Sequence, residues 1–236
     1  MSPSAIPIFI PGLVLTGDIF AAQMAGLAHP AAPLVADTLG RDSITAMAEA
    51  ALALADGPLV PVGISMGGYI AMEMARLAPS RLAGIALLNT AHRADPPDRR
   101  NQREATIRMA ESDRFRGVTR HLMKSFLSPA ALADEGLVGR VITMAEEVGR
   151  ENFVLQQRAI LGRRDQTDTL RGLGVPALVL GGGLDPLTPP QTSRDIADLV
   201  ADAELVILEE IGHLSTIEAP DEVTRLLNGF LARLGA

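Results

Sequence analysis

Short apolar runs alternate with helix-patterned stretches through both ends of this chain, and that alternation limits its fold more than any other feature. Ile6–Ile10, Pro33–Ala36, Leu59–Ile64, Leu82–Leu88, Ala177–Leu180 and Glu204–Leu208 read as strands of the kind buried on both faces. Ser43–Ala55, Met66–Leu77, Pro190–Val200 and Pro220–Leu234 read as helices. In the first of these, Ser43 is placed to cap, and Ile44, Met47, Ala48, Ala51 and Leu52 fall on one face. Strands separated by helices pair in parallel through right-handed crossovers. The expected fold is therefore α/β, a mostly parallel sheet of about six strands with helices on both faces.

The block from Pro96 to Leu170 breaks this rhythm. It reads as helices at Gln102–Glu111, Arg114–Phe126, Pro129–Val148 and Asn152–Leu161, with no strand. Its charge differs too: residues 93–171 hold 15 basic and 12 acidic residues, against 6 and 16 in the rest. The expected organisation is a core of residues 1–92 and 171–236, interrupted by a helical cap at 93–170. At 236 residues, such a chain buries roughly 70% of its unfolded surface without needing a staple.

Composition removes several classes of function. With 47% apolar and 21% charged residues, the chain is an ordinary globule, not a disordered or fibrous one. It has no cysteine, so disulfides, zinc-thiolate sites and thiol nucleophiles are out. A net charge of −7 argues against nucleic acid as the main partner. Met1–Ile10 lacks a basic leader and carries Pro3 and Pro7, and no uncharged stretch makes a 20-residue span. The expectation is a cytoplasmic protein without a membrane partner.

The chemistry starts at Gly63-Ile64-Ser65-Met66-Gly67-Gly68, which fits G-x-S-x-G. The bare pattern is weak, but here it ends an apolar run and opens a helix. Such a tight strand-to-helix turn strains the serine backbone and lifts its hydroxyl above the sheet edge. Gly63 and Gly67 then stand where a Cβ would not fit.

A serine hydroxyl needs a base to act as a nucleophile. Of four histidines, His213 follows the last strand, in Ile211-Gly212-His213-Leu214. From there it can reach over the carboxyl ends of the strands, where open α/β sheets hold their sites. The base needs a carboxylate to orient it. Asp185 stands just past Ala177–Leu180, held in a loop by Pro186. Asp95, shortly after Leu82–Leu88, is the rival acid.

With these residues in the order Ser65, Asp185, His213, the chain resembles the α/β-hydrolase superfamily over nearly its whole length. The likeness is to its compact esterases, enol-lactonases and cofactor-free haloperoxidases. It rests on the elbow, on Gly181–Pro189 and on Gly212-His213. The resemblance implies an oxyanion hole from the backbone N–H groups of Met66 and Leu13. Many members carry His-Gly where this chain has Pro11-Gly12. The chain also begins directly at this strand, which implies a sheet trimmed to six.

The expected activity is hydrolysis of small to medium carboxylic esters through an acyl-enzyme, with no metal or cofactor required. Lactone opening, C–C bond hydrolysis, perhydrolysis and acyl transfer use the same triad. A ligand receptor on the same fold is the non-enzymatic alternative. Asn89 and His92, beyond a strand end, and Met123 and Phe126, in the cap, are candidate pocket residues. Met109, Leu122 and Met144 share with Met123 and Phe126 a helical spacing for which packing of the cap onto the body is the preferred explanation over a pocket lining. Gly181-Gly182-Gly183 does not fit a dinucleotide loop. The arginines at 99, 100, 103, 114, 116 and 120 are interleaved with acids and read as a solvated helical face.

Overall fold

In the computed structural model, which describes residues 4–112 and 120–235, six strands form one sheet in the order β2-β1-β3-β4-β5-β6. They are β1 (Ile6–Ile10), β2 (Leu34–Val35), β3 (Leu59–Ile64), β4 (Ile85–Leu88), β5 (Ala177–Gly182) and β6 (Ala203–Leu208). Every pairing is parallel. The chain runs from β1 out to β2, then returns across β1 to β3. Beside β1, the order reverses, and there an open α/β sheet forms its crevice.

Strand residues alternate strictly between two cores. Ile8, Ile10, Leu59, Ile85, Leu87, Ala177 and Val179 face one side. They pack with α2 (Ile44–Leu52), α3 (Met66–Leu77) and α9 (Pro190–Ala197). Phe9, Val60, Val62, Ile64, Ala86, Leu88, Leu178 and Leu180 face the other, with α11 (Pro220–Arg233). Both faces are covered, which is why these strands read as unbroken apolar runs. β6 is half-buried throughout, as suits an edge. Burying a side chain such as Phe9 or Leu87 contributes about 1.5–3 kcal/mol.

β4 starts at Ile85 because Leu82 touches Leu59 through one isolated bridge. β5 runs two residues past Leu180, since Gly181 and Gly182 pair with Ile207 and Leu208. A 3-10 turn at Gly17–Phe20, α1 (Ala21–Gly26) and α10 (Ser215–Glu218) are helical pieces the periodicity does not announce.

Between β4 and β5 come α4 (Pro97–Glu111), α5 (Arg120–Met123), α6 (Pro129–Leu132), α7 (Glu135–Leu161) and α8 (Thr167–Arg171). α4 begins earlier than Gln102 because Pro97 occupies its first turn with Asp98 behind it. Arg114 and Arg116 lie outside the described residues. α7 bends at Gly149, whose φ of 73° and ψ of 168° are not helical. Met123, Leu127, Val138, Val141 and Met144 pack into the second core. Ile107, Ala110, Phe153 and Val154 pack instead around Val14, in the loop after β1. Among the described residues, no helix is long and apolar enough to cross a membrane.

Candidate active site

Leu13, Ser65, Asn89, Asp185 and His213 each lie in the chain just beyond the carboxyl end of a different strand. The sheet thereby gathers groups far apart in sequence at one edge.

Ser65 sits at φ 55° and ψ −117°, a conformation non-glycine residues avoid. Such strain costs about 1–3 kcal/mol and persists where surrounding structure enforces it. Enforcement comes from both sides of the turn: Ser65 N–H donates to the Leu88 carbonyl at 3.0 Å. The Thr90 hydroxyl donates to the Ser65 carbonyl at 2.7 Å. Neighbouring backbones come too close for side chains. A Cβ at residue 63 would overlap the Gly67 carbonyl, and one at residue 67 would overlap the Ile10 carbonyl. The serine hydroxyl is left half-buried at the mouth of a cavity.

His213 Nε2 lies 2.9 Å from Ser65 Oγ, and its Nδ1 lies 2.7 Å from Asp185 Oδ2. A carboxylate accepts and does not donate, so Nδ1 carries the proton and donates to Asp185. Nε2 is then the unprotonated nitrogen that accepts from the serine hydroxyl. Asp185 receives four more donors: the N–H groups of Leu187 and Thr188 at Oδ1, and Thr188 Oγ1 and Asn89 Nδ2 at Oδ2. Burial pushes the Asp185 pKa up. The hydrogen bond and charge of His213, with the Thr188 donors, more than reverse this and hold it below the usual carboxylate range.

The His213 loop is fixed by Glu218, which no local sequence pattern marks. The Glu218 carboxylate accepts from the N–H groups of Gly212 and Leu214, at 3.1 and 3.2 Å, and of Ser128, at 2.9 Å. The His213 N–H donates to the Phe126 carbonyl at 2.9 Å. The histidine is thus tied to the segment following α5. Gln156 of α7, fully buried, does the same for the loop after β1. Its Oε1 accepts from Val14 N–H at 3.0 Å, holding Val14 at φ 57°. A long-range polar contact of this kind leaves no mark in local sequence pattern.

Among the described residues, the backbone N–H groups of Met66 and Leu13 have no internal acceptor. Met66 is the first residue of α3, where N–H groups lack intrahelical partners. Leu13 and Ser65 line the same cavity, of about 160 Å³. Phe126, Tyr69, Val141, Ile160 and Leu214 line it too, so its wall is mainly apolar. A dry apolar hole of about 150 Å³ admits benzene, which sets the scale of what fits.

The other pocket candidates lie off the cavity wall. Asn89 is fully buried and supports the acid loop, with Nδ2 donating to Asp185 and to the Gly212 carbonyl, both at 3.1 Å. His92 is buried away from the cavity wall, where burial and the charge of Arg93 hold its pKa below the usual histidine value. Met123 is fully buried in the second core, and Met144 joins it, as the packing explanation of their spacing expects. Met109 is exposed, and so is Leu122. Asp95 lies between two guanidiniums, Arg103 at 2.9 Å and Arg163 at 2.8 Å. The solvated-face reading holds for Arg99, which is exposed although it borders the cavity, and fails for Arg103, which is half-buried against Asp95. Among the described residues, no three His, Asp or Glu side chains are placed to hold a metal ion.

The family described as "Alpha/beta hydrolase family" matches residues 8–226 of this chain. A Mycobacterium tuberculosis protein named as a non-heme bromoperoxidase is 28% identical over 191 residues, covering 76% of this chain and 70% of that one. A pimeloyl-[acyl-carrier protein] methyl ester esterase of Neisseria meningitidis is 24% identical over 226 residues, covering 94% and 85%. Among solved structures, a thermophilic esterase from Thermogutta terrifontis superposes with a TM-score of 0.85 at 24% identity, covering 100% of this chain and 92% of that one. At that identity the structural likeness speaks to the fold.

Proposed function

The chain belongs to the alpha/beta hydrolase family, and we propose that it is a serine hydrolase cleaving small to medium carboxylic esters through an acyl-enzyme. One observation carries the reading: Ser65 Oγ, the His213 ring and Asp185 form a continuous hydrogen-bonded chain, at 2.9 and 2.7 Å. A relative named as a methyl ester esterase adds weight to ester chemistry.

In this mechanism, His213 Nε2 takes the Ser65 proton as Oγ bonds to the ester carbonyl carbon. Asp185 keeps Nδ1 protonated and stabilises the imidazolium that forms. The carbonyl oxygen becomes an oxyanion and receives the N–H groups of Met66 and Leu13. Each such donor is worth about 2.7–4 kcal/mol, because it is already in place when the charge develops. His213 then gives its proton to the leaving alcohol. Water, deprotonated by the same nitrogen, releases the acid from Ser65.

The described residues between 93 and 170 act in this reading as a cap that roofs the cavity. Phe126, Val141 and Ile160 from that stretch line it. A cavity of about 160 Å³ favours a short acyl chain over a long one.

The test is covalent labelling with a fluorophosphonate, followed by mass spectrometry of the peptide containing Ser65. Wild type gains the phosphonyl mass on Ser65, while Ser65→Ala and His213→Ala do not within the same time. Labelling elsewhere, or equal labelling of the three proteins, would sink the proposal.

A further inference from the structure

Among the described residues, the cavity at Ser65 is lined by two arginines and by no carboxylate, on a chain whose net charge is −7. Arg99 and Arg103 stand four residues apart on α4 and so share one face of that helix. Arg103 is committed internally, donating to Asp95 at 2.9 Å and to Gln157. Arg163 shares Asp95, at 2.8 Å. One negative charge therefore lies among two positive ones, and a net positive charge remains.

Arg99 is different. Its Nη2 donates to the Leu187 carbonyl at 3.0 Å, and among the described residues no carboxylate pairs with it. Leu187 lies two residues past Asp185, so this bond moors the guanidinium beside the acid loop. A second cavity, of about 350 Å³, shares Arg99, Arg103, Phe126 and Leu187 with the first, and among the described residues it too is lined by no carboxylate. The arginines stand where the two cavities meet. The inner one is mainly apolar, and the junction is cationic.

We propose that Arg99, backed by the net positive charge around Arg103, binds a carboxylate on the substrate remote from the scissile ester. The substrate class is then the half-ester of a short dicarboxylic acid. A planar guanidinium matches a carboxylate through paired hydrogen bonds. This inference rests on the serine esterase reading above and names the substrates of that site.

The experiment compares kcat/KM for monomethyl glutarate with that for dimethyl glutarate, the same chain with its charge masked. Wild type favours the half-ester at least tenfold. Arg99→Gln lowers that preference about tenfold, and Arg99→Glu lowers it further. Arg108→Gln, a charge loss on the exposed side of α4 beside Glu104, leaves the preference as it was. A wild type without preference, a preference that Arg99→Gln leaves unchanged, or an equal loss in Arg108→Gln overturns the proposal. Hydrolysis of dimethyl glutarate by wild type and Ser65→Ala tests the esterase reading separately. Binding is read without turnover by calorimetric titration of monomethyl glutarate into Ser65→Ala and into Ser65→Ala/Arg99→Gln. At least tenfold weaker binding to the double variant supports the subsite, and equal binding overturns it even where no ester is turned over.

Discussion

Replacing Asp185 by asparagine exchanges a carboxylate for an amide inside a ring of five donors, from Leu187, Thr188 twice, His213 and Asn89. The amide has one oxygen to offer. If it serves the two backbone N–H groups at the Oδ1 position, the amide N–H₂ points at Thr188, Asn89 and His213 Nδ1. The reverse orientation sets the amide donors against those two backbone N–H groups, at about 1–3 kcal/mol for each group left unsatisfied. The first orientation therefore wins. His213 relieves the clash by moving its proton from Nδ1 to Nε2. The nitrogen 2.9 Å from Ser65 Oγ then carries a proton and cannot accept another. The imidazolium also loses its counter-charge. A loss of about 10⁴ in kcat is expected, equal to about 5.5 kcal/mol of barrier, with KM changed only a few-fold. The assay is steady-state hydrolysis of p-nitrophenyl acetate at neutral pH, with urea unfolding run alongside to establish that the variant is folded. A folded Asp185→Asn enzyme within tenfold of wild-type kcat would refute the tautomer argument.

Three further outcomes follow from the same contacts. Glu73 is buried on α3, which raises its pKa, but donors from Arg76, Thr45 and Gln166 outweigh burial and hold it at about 2 against an ordinary 4.5. The folded-state value is the lower one, so its stabilisation, about 3 kcal/mol, is complete above about pH 5 and lost as pH falls towards 2. Urea midpoints measured across that range should show the fall in wild type and a flatter profile in Glu73→Gln. Gln156→Leu strips the acceptor from Val14 N–H and should cost about 1–3 kcal/mol of stability. It should lower kcat more than it raises KM, because the released loop carries Leu13; an unchanged kcat in a folded variant would contradict this. Glu218→Gln replaces one accepting oxygen among three backbone donors. It should lower kcat about tenfold through a loosened His213, and hydrogen exchange should quicken at Gly212 and Leu214; unchanged exchange there would count against the clamp.

Much of this site is legible in the chain because backbone geometry writes it there. β1, β3 and α3 end where the apolar run, the helix pattern and the Gly63–Gly68 turn say they should. Ser65, Asp185 and His213 are legible for the same reason, each following a strand end. The gap between the Pro129–Val148 and Asn152–Leu161 patterns falls on the bend at Gly149. What is not legible depends on tertiary approach. Asn89 reads as a cleft residue, but burial turns its amide toward Asp185 and Gly212. Glu218 and Gln156 look like ordinary helix polar residues until the loops they hold are in place. Arg103 looks solvated because packing of Ile107 and Ala110 on Phe153 and Val154, not local pattern, sets the rotation of α4 and brings Arg103 to Asp95. Gly181 and Gly182 look like loop, yet they extend β5 because β6 offers them partners.

The central claim is tested most directly by hydrolysis of p-nitrophenyl esters from acetate to decanoate, with wild type and Ser65→Ala side by side. The account predicts a loss of at least three orders of magnitude in the variant and a chain-length optimum at the short end, set by a cavity of about 160 Å³. Equal turnover by the two proteins would contradict it.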